Sequence, residues 1–310
     1  MHRGIDVLDA RSEGAGGGRL FVVVPVFKEH HLIEAFLESW GNVVSSSCTL
    51  LICNGNPGDE TSIICKYRSD FIHRIVEVRG NPSLFWGGLV ALGLREVGVL
   101  AQPGDMVLLT NIDVTFEGDP VAPLQAAMRR TGKCQMAAIA RTSTGRILSS
   151  GVQVRSWSLS INRHVVGDEA DAGEGECNLI PVTYLPTRFV LFPASAVMEA
   201  GLPAYQWLPH YCCDYEYTNR LRTLGYTPYV CPSVVVNNVE GNTGFKTFQT
   251  RTTFYDRLSK CMDVKATYNL RSRFWFVWLA YPGLTRVPGV ITHFFKILLE
   301  VLFGVRRFIK

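Results

Sequence analysis

Apolar residues along the chain fall in short runs parted by polar turns, and the runs alternate between two periods. Leu20–Val26 (LFVVVPV) and residues 49–53 (TLLIC) are continuous and rich in branched side chains, the pattern of strands buried on both faces. Between them, residues 31–40 (HLIEAFLESW) place Leu32, Phe36 and Leu37 on one helical face. Residues 72–78 predict a third strand, Asn81-Pro82 a break and residues 84–97 a helix. Met106–Thr110 predicts a fourth strand, with Asp113 just past its carboxyl end. Strand and helix alternating in this way mean a mostly parallel sheet wrapped by helices. Ligands in such open sheets bind beyond the carboxyl ends of the strands, so residues 27–29, 54–59 and 111–113 converge on one crevice.

The second half reads differently. Residues 147–154 and 156–161 predict a small antiparallel subsheet. Residues 162–178 (NRHVVGDEADAGEGECN) have no apolar period and read as a solvated loop, with a lid over the crevice as the functional alternative. Residues 187–192 (TRFVLF) predict a strand, 194–200 a helix closed by Gly201, 210–224 a helix ended by Gly225, and 227–236 a late strand. Residues 273–284 and 289–305 are rich in aromatic and aliphatic side chains, and Pro282 and Pro288 separate them. Both are too short and too interrupted to span a bilayer. They read as interfacial helices, with a helical cap on the domain or a homo-oligomer contact as alternatives.

Composition sharpens this picture in two places. The 310 residues are 47% hydrophobic and 19% charged, which supports a packed core. A net charge of +4 is too small to argue for nucleic acid, but its distribution is uneven: residues 271–310 hold seven basic side chains and one acid, leaving −2 on the rest. That polarity favours an anionic membrane surface as a partner of the tail. Nine cysteines without a C-x-x-C pair fit small core residues in a reducing compartment, and no apolar leader opens the chain. The expected location is cytoplasmic, peripheral on the inner face of the cell membrane. The glycines of residues 1–18 precede the first strand, where a phosphate loop would follow it, so this segment reads as a flexible leader. The expected organisation is leader 1–18, catalytic domain 19–245 and C-terminal helical region 246–310.

The chemistry centres on carboxylates. Asp113 lies where a strand ends, and a buried carboxylate needs a partner or a metal. Asp214 and Glu216 open a helix, where first-turn amides favour negative charge. Taken in order, VVVPVFK, LICNGNPGD, GNPSLFWGG, LLTNIDV, LPTRFVLFP and HYCCDYEYTNRLRTLGY, over residues 20–245, closely resemble the family 2 glycosyltransferases. The branch they most resemble contains rhamnosyl- and related transferases of bacterial surface polysaccharides. The resemblance implies a GT-A fold, a nucleotide-sugar donor, a glycan or lipid-linked acceptor, and Mg²⁺ or Mn²⁺. It implies Asp113 as the last acid of the metal motif, with Asn111 in place of the first. It implies Asp214 as catalytic base, and Pro25, Phe27, Glu29, Asn54 and Asp59 around the donor. Glu216 is read as orienting Asp214 or an acceptor hydroxyl, or pairing with Arg220 one helical turn on. Trp86 and Gly87 offer bare backbone to the donor, and Arg188 is a candidate for the diphosphate or the acceptor. Many members have a metal-holding His after the late strand; here Asn237 and Asn238 stand there, and Asn238 is the expected second metal ligand. Cys53 stands where many have an acid against the nucleobase. The expected reaction is inverting transfer with no covalent intermediate. The alternatives are an inactive sugar-nucleotide binding protein and a nucleotidyltransferase, the latter disfavoured because no glycine loop follows the first strand.

Overall fold

The computed structural model describes residues 18–43, 48–62, 74–165, 178–239 and 253–303, except Thr267. The leader and most of the 162–178 segment therefore lie outside the described residues. The strands are β1 (Leu20–Val26), β2 (Cys48–Asn54), β3 (Arg74–Arg79), β4 (Met106–Thr110), β5 (Val114–Thr115), β6 (Cys134–Thr142), β7 (Ile147–Ser149), β8 (Val152–Ser156), β9 (Ile161–His164), β10 (Ile180–Pro181), β11 (Phe189–Pro193) and β12 (Thr227–Asn238). The helices are α1 (Ile33–Trp40), α2 (Phe85–Leu100), α3 (Val121–Thr131), α4 (Ser195–Ala200), α5 (Cys213–Thr223), α6 (Phe254–Lys260), α7 (Leu270–Ala280) and α8 (Arg286–Phe303).

The main sheet runs β10-β12-β6-β11-β4-β1-β2-β3, with β5 on β12 and β7 on β6. β3, β2, β1 and β4 are mutually parallel, and β11 enters antiparallel between β4 and β6. The chain walks outward from β1 to β3 and then returns to the other side of β1 as β4. The order therefore reverses between β1 and β4, the place where such sheets open a crevice.

β1 explains its unbroken apolar run, because both its faces are covered. Leu20, Val22, Val24 and Val26 pack with Phe36, Leu37 and Trp40 of α1, while Phe21 and Val23 pack with Leu89, Val90 and Leu94 of α2. A third cluster joins Cys212 and Cys213 at the start of α5 to Phe276, Val277 and Ala280 of α7. The Asn219 amide donates to the Ala280 carbonyl at 2.8 Å. The C-terminal helices are thereby fastened to the element that carries Asp214.

Several expectations shift. The helix of residues 31–40 begins at Ile33, after a 3₁₀ turn. Residues 147–154 break into β7, paired with β6, and β8, paired with β9, because Gly151 packs against Val182 and Val230. The helix of residues 210–224 starts only at Cys213. The periodicity reading passed over α3 and β6, although β6 lies inside the main sheet; its alanines are poor strand formers and are held by packing on both sides. Among the described residues six cysteines are free and buried, as a core role requires, and Cys231 is disulfide-bonded.

Gly93 is where α2 touches the sheet. A Cβ there would lie 2.5 Å from Val23 Cγ1 and 2.7 Å from Cys53 Sγ. Gly93→Ala is expected to destabilise the fold by about 1–3 kcal/mol, since core overpacking outweighs the gain in helix propensity. A thermal melt reads this as a lowered Tm; an unchanged Tm would show that the layer can give way.

Candidate active site

Three strand ends bring the site together. β4 runs into Asn111 and Asp113, the segment before β11 carries Thr187 and Arg188, and β12 ends at Asn238. Asn238 pairs in register with Val114, and the Val239 amide donates to the Asp113 carbonyl at 2.8 Å. The Thr110 hydroxyl donates to the Arg188 carbonyl at 2.8 Å.

Asp113 is buried, and its two oxygens differ. Oδ2 accepts from Asn238 Nδ2 at 3.0 Å and lies 3.9 Å from Arg188 Nη1. Oδ1 is buried with no hydrogen-bond partner. An ionised oxygen left bare in the interior is costly, so this one is the natural point for an incoming cation. Asn238 is oriented the other way from the sequence expectation. Its Oδ1 accepts from Arg188 Nη1 at 2.5 Å, so its amide carbonyl faces the guanidinium and its NH₂ faces Asp113. Here its oxygen is engaged by Arg188 and its NH₂ by Asp113, so it positions both side chains. No group of three or more His, Cys, Asp or Glu suited to a metal occurs among the described residues.

Burial pushes the Asp214 carboxyl up to about 6; amide bonds from Tyr215, Asp214 and Thr187 and the Arg188 charge oppose the rise. The Arg188 charge thus bears on both acids, as an ion pair at 3.9 Å on Asp113 and as a longer-range field on Asp214. Asp214 sits in the first turn of α5. Beside it, burial and Lys265 bring the His210 imidazole down to about 4, with Asp263 opposing, so that ring is neutral at physiological pH.

Other expected residues divide into two groups. Trp86 donates from Nε1 to Asn111 Oδ1 at 3.0 Å, which brings the Trp-Gly-Gly segment to the metal motif. The Gly87 amide donates to the Pro209 carbonyl at 2.9 Å. Pro25 is buried within β1, Phe27 follows it half-buried, and the Glu29 carbonyl accepts from Leu32 at the 3₁₀ turn. The Lys28 and Lys265 ammonium groups lie 5.4 and 5.9 Å from the Phe27 ring centre. Lys265, from the segment between α6 and α7, was missed in the sequence because only the fold brings it back to β1.

Glu216 makes the pair with Arg220 that their i, i+4 spacing offers. Both Glu216 oxygens accept from Arg220, at 2.8 and 2.9 Å, and Arg220 also holds the Ala200 and Leu202 carbonyls. The pair ties α5 to the loop after α4. A cleft of about 580 Å³ beside it, between Arg95, Tyr205 and Trp207, contains neither Asp113 nor Asp214. Asn54 is fully buried; it accepts from the Asn56 amide and donates to Asp59 and Glu77. Asn54 and Asp59 thus build the turn and do not face outward as donor contacts. Burial opposes ionisation of Glu77, but bonds from Ser62, Asn54 and Arg79 outweigh it and hold the carboxyl below its usual range. Cys53 points into the core against α2, not toward a ligand.

Backbone strain gathers at the same place. Four non-glycine residues among those described have positive φ, and three border the site: Lys28 (59°), Phe85 (50°) and Cys212 (66°). Each costs on the order of 1–3 kcal/mol and persists only where the surroundings impose it.

No protein-family model matches the chain, and no curated protein matches it. Solved structures do. GalNAc-T7, determined with UDP, GalNAc and Mn²⁺, superposes with a TM-score of 0.54 at 11% identity over 91% of this chain. The match takes in 56% of GalNAc-T7, so the chain spans little more than half of that protein's length. The mannosyltransferase PcManGT from Pyrobaculum calidifontis, with GDP-Man and Mn²⁺, gives 0.55 at 13% identity, covering 94% of this chain and 88% of that one. Residues 1–349 of S. aureus TarS, with UDP-GlcNAc, give 0.52 at 11% identity over 92% of both chains. The fold is the GT-A type that the motifs implied: a mostly parallel sheet flanked by helices, with a small antiparallel subsheet.

Gly87 offers a direct check on how the site is supported. A Cβ there would meet Cys213 Sγ at 2.9 Å and the Leu208 and Pro209 carbonyls at 3.0 Å. Gly87→Ala is expected to push residues 208–213 away and speed amide hydrogen exchange there, with exchange in β1 and β4 unchanged. Equal exchange in parent and variant would contradict the contact.

Proposed function

We propose that the chain is an inverting glycosyltransferase that moves a sugar from a nucleoside-diphosphate donor to a hydroxyl of a glycan or lipid-linked acceptor. The observation that carries this is a pair of acids that both feel the Arg188 charge: one with a bare buried oxygen, the other with a pKa raised to about 6. The neighbours of the same fold were solved with UDP, GDP-Man or UDP-GlcNAc, two of them with Mn²⁺. The motif resemblance supports the rhamnosyltransferase-like branch.

The residues present fit a divalent ion of the Mg²⁺ or Mn²⁺ kind that arrives with its diphosphate. Such ions are commonly held by one or two carboxylates plus phosphate oxygens, and Asp113 Oδ1 supplies one such oxygen. When bound, the ion supplies Lewis-acid neutralisation of the leaving diphosphate. Arg188 adds fixed positive charge beside Asp113. Asp214 accepts the acceptor hydroxyl proton as that oxygen attacks the anomeric carbon. The bond from the anomeric carbon to the diphosphate oxygen breaks on the opposite face, so configuration inverts. A diphosphate that engages Arg188 removes part of the charge that lowers Asp214, and the base strengthens as the donor binds. The inactive-binder reading predicts donor binding without transfer, and the raised Asp214 pKa argues against it.

Log kcat/KM is expected to rise with unit slope up to about pH 6, with the corresponding break in kcat displaced to higher pH. A flat profile between pH 5 and 7 would exclude Asp214 as the base. Asp214→Asn should lower kcat by roughly 10²–10⁴-fold while donor binding survives. The sign of its effect on stability is set by the raised pKa. The neutral buried carboxyl favours the fold fully below its ordinary value of 3.8, and that contribution is lost as pH rises through about 6. At pH 8, Asp214→Asn should therefore melt at or above the parent's Tm. Asp113→Ala should abolish the Mn²⁺-dependent part of donor-induced thermal stabilisation; an undiminished Mn²⁺ effect would place the ion elsewhere.

A further inference from the structure

Helix α8 is inverted relative to a water-facing helix. Its polar side chains Thr292, His293, Lys296 and Glu300 are buried or half-buried. The Thr292 hydroxyl donates to the Ser158 carbonyl and the Lys296 ammonium to the Ser160 carbonyl, both at 2.8 Å. His293 Nε2 meets the Tyr281 hydroxyl at 3.0 Å. The outward side carries Val287, Ile291, Phe294, Phe295, Leu298 and Leu302, between 38% and 63% exposed, with no charge among them. The spacing of Val287, Ile291, Phe294, Leu298 and Leu302 makes a single stripe along the helix. Leu284, 98% exposed, continues it toward α7. There the Arg286 guanidinium lies 5.7 Å from the Trp278 ring centre.

We propose that this face docks on an anionic lipid bilayer, with α8 lying in the interface plane. The choice of occupant follows from charge. Residues 271–310 carry seven basic side chains and a single acid, Glu300, which is on the buried side of α8. A second copy would bring a tail of the same positive net charge against itself, whereas anionic headgroups neutralise it. Aromatic rings and arginine at the margin suit the headgroup boundary. With 18 residues including Arg286, Lys296 and Glu300, α8 is built to lie in the interface and not to cross it. The segment that does pass for a span by length and composition, Pro82–Leu100, forms the core layer on β1. This docking surface stands independently of the proposed transfer reaction.

The test is flotation of the full chain on vesicles of phosphatidylcholine with phosphatidylglycerol, against phosphatidylcholine alone, without donor or acceptor. The parent should float with the anionic vesicles and at least tenfold less with neutral ones or in high salt. Ile291→Glu/Phe294→Glu/Leu298→Glu should lose flotation at least tenfold while keeping the parent's Tm. Leu284→Glu, at a fully exposed turn, gives the same test in graded form should the triple variant misfold. Absence of flotation with anionic vesicles, or equal flotation of parent and variants, would overturn the proposal. So would a parent dimer that the variants convert to monomer with flotation unaltered, since that would assign the face to a second copy.

Discussion

A carboxylate held inside a protein with one oxygen bonded and the other bare is an unstable bargain unless something completes it. Asp113 is held that way. Asn238 and Arg188 address one oxygen, and the other faces buried space with no donor. An unmatched charged group costs several kcal/mol more than a matched one, so the arrangement persists only because the surrounding sheet imposes it. β4 delivers the acid, β11 follows directly on Arg188, and β12 reaches Asn238 through a register shift between Cys231 and Val235. That shift carries the end of β12 onto β5, beside Asp113. The fold thus leaves one buried carboxylate oxygen unmatched, and that is the oxygen to which the proposed function assigns a cation.

The second acid is controlled by different physics. Asp214 opens a helix, yet burial outweighs the amides and the arginine and leaves its carboxyl near 6. A proton acceptor with that value is mostly ionised at neutral pH and more basic than an ordinary aspartate, which is the useful range for general-base work. The support for it is strained and tightly packed. Cys212 takes a left-handed conformation two residues earlier, and Gly87 lies against the same segment with no room for a side chain. Phe85, also at positive φ, orients the start of α2 so that Trp86 reaches Asn111. Strain that would otherwise be lost to relaxation is held in place by α7, whose Phe276 and Val277 close over Cys212 and Cys213.

Much of this was legible in the sequence where a local pattern has one physical solution. The unbroken apolar runs of β1 and β2 require cover on both faces, and a strand that ends in Asn-Ile-Asp requires a ligand or a partner. The parallel sheet and the crevice at its strand ends followed from those patterns. Contacts that depend on distant pairing were not legible. Glu216 and Asp214 look equivalent in CCDYEY; the i, i+4 spacing already offered Glu216 to Arg220, whereas the burial that raises the Asp214 carboxyl to about 6 was not legible. Asn54 seemed available to a nucleotide until Glu77, from the neighbouring strand, claimed its amide. Lys265 reaches Phe27 only through the packing of the C-terminal helices, which no periodicity records. The alanines of β6 carry too weak a preference to announce a strand inside the sheet.

The central claim is that Asp113, Arg188 and Asp214 bracket one diphosphate sugar. A crystal structure with Mn²⁺ and a nucleoside diphosphate tests it most directly. The account predicts the ion on Asp113 Oδ1, the terminal phosphate within hydrogen-bond reach of Arg188, and the Asp214 carboxylate across the sugar pocket from that phosphate. A diphosphate bound away from Arg188, in the cleft beside Glu216 and Arg220 for instance, with Asp113 Oδ1 still bare, would contradict it.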